Sequence, residues 1–138
     1  MKPDFSTHYL RGVEHFNARE FWDAHESWET IWLVAASDAE QFLQGLIQIA
    51  AAYHHVQRGT FRGAVRLFDA GLRRLSAFPH PYCGTDRRPL EAAARAHRQW
   101  TAARVDAEEW QQRLEEGDYP RIALIAPDGS VSPPSSNW

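Results

Sequence analysis

A histidine and two glutamates, His25, Glu26 and Glu29, stand at HExxE spacing inside EFWDAHESWETIW (residues 20–32), a stretch that also carries Trp22, Trp28 and Trp32. On a helix, Phe21, Ala24, His25, Trp28 and Trp32 share one stripe, with Glu29 at its edge one turn beyond His25. Asp23, Ser27 and Thr30 point away from it. An imidazole set in an apolar stripe needs hydrogen-bond partners, and Glu29 at i+4 is placed to orient its ring. Taking a carboxylate out of water is costly unless it is paired, hydrogen-bonded or metal-bound. Three accounts fit the trio: a polar network within the core, a pocket for a small ligand, or a patch that meets a partner chain. If the pocket is catalytic, the chemistry is hydrolase-like, with His25 as general base oriented by Glu29 and possible assistance from a metal.

The motif is incomplete as a metal site. HExxE lacks the second histidine of the zinc signature HExxH, and a His-Glu-Glu trio on one helix spreads too far around it to close on one ion. The bundle di-metal pattern places Glu-x-x-His on two helices, and no such pair occurs here. No metal ligand is therefore assigned, and the sequence indicates no particular cofactor.

Periodicity favours helices nearly throughout, which predicts an all-α fold: a single bundle of five or six helices over residues 1–118, followed by a tail over 119–138. Ser6 is placed to cap a first helix with the apolar face Tyr9, Val13 and Phe16, and Asn17-Ala18-Arg19 reads as a turn into the helix bearing the trio. Ser37-Asp38-Ala39-Glu40 has the form of a capping box opening a third helix that ends at Arg58, before Gly59. Phe61 to Leu75 forms a fourth helix, Pro89 opens a fifth, and Asp106 to Glu116 predicts a short sixth. In the tail, Ile122 to Ile125 can dock, whereas SVSPPSSNW has too little apolar area to order itself.

A shift of forty positions superposes His15 on His55, Phe21 on Phe61, Ala24 on Ala64, Trp28 on Phe68 and Trp32 on Leu72. The chain thus reads as two successive helical hairpins. The second has Val65, Arg66 and Asp69 where the first has His25, Glu26 and Glu29, so the scaffold does not itself demand the histidine. On the third helix Gln44, Gln48 and His55 form a polar stripe, while Gly45 and Ala52 leave room for a neighbouring backbone. That stripe is expected to face the second helix, bringing Gln44 or Gln48 within hydrogen-bonding reach of His25, Glu26 or Glu29 in a cluster framed by Trp22, Trp28 and Trp32. His54 is expected near the surface.

The remaining composition narrows the function classes. A net charge of −3, from 15 basic and 18 acidic residues, lacks the basic footprint that nucleic-acid binding requires. No apolar run is long enough for a membrane span, and no signal core precedes residue 12. The lone Cys83 points to a reduced, cytoplasmic protein. A small-molecule ligand and self-association into a homo-oligomer remain as possible partnerships.

Gly12 to Phe16 with Asn17, Phe21 to Glu26, Trp28-Glu29, Trp32, Gln44 to Gln48, Arg58-Gly59 and Gly63-Ala64 together resemble the small helical proteins grouped as domain of unknown function 309. The resemblance spans about residues 9 to 75. It implies an all-α fold and brings no established activity, substrate or catalytic residue. The leading expectation is a small ligand-binding or scaffolding domain acting through the His/Glu/Gln cluster; the alternative is the hydrolase-like enzyme.

Overall fold

The computed structural model describes residues 2–106, 114–125 and 131. Five helices carry the described chain: α1 (Phe5–Asn17), α2 (Phe21–Trp32), α3 (Ser37–Arg58), α4 (Phe61–Leu75) and α5 (Arg88–Ala102). Consecutive helices pack as neighbours, so α1–α2 and α3–α4 are the two hairpins anticipated from the repeat. The predicted sixth helix lies largely outside the described residues; Glu116–Asp118 form a single 3-10 turn. A two-stranded antiparallel ribbon, absent from the sequence-based expectation, joins β1 (Thr85–Asp86) to β2 (Ala123–Leu124). No described helix is long and apolar enough to cross a membrane.

Each hairpin turn uses one left-handed residue. Arg19 (φ 64°) and Gly59 (φ 78°) occupy it, and in both turns the amide five residues after a histidine returns to that histidine's carbonyl: Glu20 to His15 at 2.9 Å and Thr60 to His55 at 3.0 Å. Two of the predicted caps differ. Asp4, not Ser6, caps α1 by accepting from the Thr7 amide at 2.8 Å, while the Ser6 hydroxyl donates to the Val131 carbonyl. Ser37 adopts φ 57° and makes no side-chain cap bond, because a capping hydroxyl needs the extended backbone that Ala36 has instead.

The core is aromatic where the two hairpins meet. Phe16, Phe21 and Tyr53 stack or meet edge-on, and Tyr53 passes the contact to Phe68, with the Phe21–Tyr53 centroids 5.2 Å apart and the Tyr53–Phe68 centroids 4.9 Å apart. Trp28 and Phe68, equivalent under the forty-residue shift, are both fully buried. Gly12 lets α1 close on Trp28, whose indole N–H donates to the Tyr9 carbonyl at 3.1 Å. Gly45 and Gly71 do the same for α3 and α4: a Cβ on Gly71 would lie 3.0 Å from the Gly45 carbonyl oxygen.

The chain end is tied back by side chains acting as strand partners. Asn17 donates to the Ile122 carbonyl at 3.1 Å and accepts from its amide at 2.7 Å. Arg87, fully buried, donates to the carbonyls of Leu75, Phe78 and Pro79 and so closes the end of α4. Its Nε lies 3.3 Å from Glu91 Oε2 as an ion pair without hydrogen-bond alignment, and His80 Nε2 approaches the same oxygen at 3.2 Å. Nothing in the apolar periodicity marked this buried charge pair, because it interrupts the pattern rather than continuing it.

Candidate functional site

The buried line of α2 is Phe21, Ala24, Trp28 and Ile31. His25 stands at the edge of that line with its side chain 16% exposed, and Glu29 is more open at 45%. Their closest atoms, His25 Nε2 and Glu29 Oε2, are 3.4 Å apart, an ion-pair distance beyond an ordinary hydrogen bond. The His25 Nδ1 is buried and has no hydrogen-bond partner among the described residues; the same is true of the Trp32 indole nitrogen. Glu26 is exposed, and its carbonyl accepts from the Thr30 hydroxyl.

Trp22 provides the aromatic wall. Its ring stacks on His25 with centroids 4.7 Å apart and planes 20° from parallel, and it meets His54 of α3 at 5.2 Å. Although 48% exposed, Trp22 thus covers His25 from the solvent side. Trp22, His54 and Arg58 line an open cleft of about 300 Å³ where α2 meets α3. Burial holds the His54 imidazole below its ordinary pKa, and the charges of Arg58, His55 and His25 push it the same way. No carboxylate pairs with Arg58 among the described residues.

The glutamines are elsewhere. Among the described residues no hydrogen bond joins Gln44 or Gln48 to His25, Glu26 or Glu29; Gln48 instead accepts from Arg74 of α4 at 3.1 Å. The expected inward amide line is therefore corrected. Gly45, which carries the close approach to α4 at Leu75 and Gly71, turns that flank of α3 toward α4. His54, six positions beyond Gln48 and about 120° around the helix, faces α2 instead. Trp28 also does not frame the cleft, since its ring is locked between α1 and α2. The structure thus gathers Trp22, His25 and Glu29 with His54 and Arg58, while Trp28 packs against α1 and Gln48 bonds Arg74. His54 and Arg58, one turn apart, carried a usable signal as the only basic pair at that spacing late in α3.

Two other polar features lie apart from this cleft. Asp38, Arg74, Phe78 and Tyr82 contribute to a second cleft of about 350 Å³. Burial pushes the Cys83 thiol up to about 12, so it is no nucleophile in the folded chain.

Two helical hairpins and a fifth helix packed on α4, with an aromatic and imidazole cleft where the hairpins meet, define a small helical-bundle protein. Residues 9–67 match the sequence pattern of the family described as domain of unknown function (DUF309). The fold is similar to the crystal structure of a conserved hypothetical protein, TTHA0068 from Thermus thermophilus, at 30% identity and a TM-score of 0.60. That similarity covers 72% of this chain and 99% of the Thermus chain. The chain belongs to the DUF309 family. No curated protein matches it.

Proposed function

We propose that the protein binds a small planar anion in the cleft between α2 and α3, with the flat group stacked on Trp22 and the charge held by Arg58 and His54. The observation that carries this reading is a half-exposed tryptophan, backed by a histidine and adjoining an arginine with no carboxylate partner among the described residues, at the mouth of a cleft of about 300 Å³. A large aromatic face left open to water costs apolar surface, and an arginine beside it offers both stacking and bidentate charge recognition. Glu29 holds His25 in place under Trp22, so the polar trio supports the stacking platform from below.

A hydrolase using His25 as general base fits less well, because Nδ1 is buried and Nε2 lies beside Glu29, so neither ring nitrogen faces the cleft freely. The test is thermal shift with inorganic phosphate, nucleoside monophosphates and aromatic carboxylates. Wild type, Trp22→Ala, Arg58→Gln and the double variant His25→Leu with Glu29→Met are compared. A compound that raises the wild-type Tm while leaving Trp22→Ala and Arg58→Gln unmoved supports the reading. The double variant folds at equal or greater stability, since removing both partners also removes their desolvation cost. Equal shifts in all four proteins, or none across the panel, refute the cleft as a binding site.

A further inference from the structure

We propose that His15, Glu20 and Asp23 form a divalent-cation site at the corner between α1 and α2. Each offers one ligand atom, and the three atoms lie within 4.8 Å of one another. The tightest pair, His15 Nδ1 and Glu20 Oε1, is separated by 2.9 Å. Two ligands at right angles on an ion about 2.1 Å away stand roughly 3.0 Å apart, so this pair already has the spacing of neighbouring ligands. Asp23 supplies the third corner from the first turn of α2. One neutral imidazole with two carboxylates gives a local charge suited to a dication. The donor set favours Zn²⁺ or Mn²⁺ over Ca²⁺, with water completing the shell on the exposed side.

The second hairpin supplies an internal comparison. There the same turn brings His55 Nδ1 to within 2.6 Å of the Thr60 hydroxyl, five positions on, and Gly63 takes the place of Asp23. A histidine bonded to the residue five positions later is therefore a device of this turn, and a neutral hydroxyl suffices for it. The two carboxylates are what the first hairpin adds to that device. Both belong to a single surface corner, and neither is accounted for by the core or by the cleft at Trp22.

The experiment titrates the untagged full chain with Zn²⁺ by calorimetry, and with Mn²⁺ by following paramagnetic broadening of its amide and imidazole NMR signals. Wild type is compared with Glu20→Thr, which copies the second hairpin and so preserves the turn, with Asp23→Asn, and with His25→Leu. The expected result is saturable binding in wild type and His25→Leu, at least about tenfold weaker in Glu20→Thr and Asp23→Asn. The His15 ring signal broadens first. Wild-type binding that does not saturate below millimolar metal overturns the proposal. So does binding abolished by His25→Leu but retained by Glu20→Thr. Circular dichroism of each variant confirms that a lost signal is not lost folding.

Discussion

Gly12 and Gly63 are both helical glycines, and replacing each by alanine is expected to move stability in opposite directions. A Cβ on Gly12 would lie 2.5 Å from Trp28 Cδ1 and Cε2 and nearer still to Nε1. Trp28 is fully buried, so its ring moves only by displacing the aromatic neighbours Tyr9 and Phe16. Displacing it costs about 1–3 kcal/mol in overpacking. Breaking its bond to the Tyr9 carbonyl leaves a buried indole N–H unpaired, at about 1–3 kcal/mol more. The helix-propensity gain of alanine over glycine offsets only about 1 kcal/mol. Gly12→Ala should therefore lose about 3 kcal/mol, a fall in Tm of roughly 10 °C for a domain of this size. At Gly63 the nearest atom to a new Cβ is His55 Nδ1 at 3.5 Å, an ordinary contact, so the propensity term stands alone. Gly63→Ala should gain about 0.5–1 kcal/mol. Urea denaturation monitored by tryptophan fluorescence and circular dichroism gives both values from midpoints at constant slope. A Gly12→Ala loss under about 1 kcal/mol would contradict the packing of Trp28 against α1, and a destabilised Gly63→Ala would contradict the open contact at His55.

Burial of the His97 ring, whose Nδ1 meets the Tyr53 hydroxyl at 2.7 Å, holds its pKa below the ordinary value despite the opposing charge of Asp118. A histidine that folds preferentially neutral contributes stability that is complete above about pH 6.5 and fades as pH falls toward the lowered value. Unfolding free energy should decline from about pH 7 to about pH 5, and His97→Gln should flatten the decline; an unchanged slope would exclude His97 as its source. Arg87→Met should cost about 3–5 kcal/mol in denaturation, because the buried Glu91 carboxylate loses its buried guanidinium and keeps only the more exposed His80 and Arg95, and three carbonyls at the end of α4 lose their donor. The double variant with Glu91→Leu should recover part of that loss, and failure to recover any would place the whole cost in the carbonyls.

The helices were readable from sequence because each is set by local terms. The bounds of α4, the end of α3 at Arg58 and the left-handed Gly59 follow from periodicity and one backbone preference, and they needed no partner to be right. The hairpin repeat was readable for the same reason, since paired apolar residues at a fixed offset record the packing they require. Even the adjacency of His25 and Glu29, one turn apart, is a property of one helix.

What lay beyond the sequence depends on which flank of α3 each neighbour occupies. Helical spacing placed Gln44 and Gln48 on a common stripe but could not say that the Gly45–Gly71 approach turns it toward α4, or that His54 and Arg58 thereby come to Trp22. The buried Arg87 and the pairing of Thr85–Asp86 with Ala123–Leu124 join segments far apart in the chain, so no local pattern announces them. His15, Glu20 and Asp23 are near in sequence, yet their side-chain oxygens and nitrogen meet only because a left-handed Arg19 folds α2 back against the end of α1. Local propensity decides the elements; the contacts between them decide which side chains share a site, and those depend on close approaches measured in single ångströms.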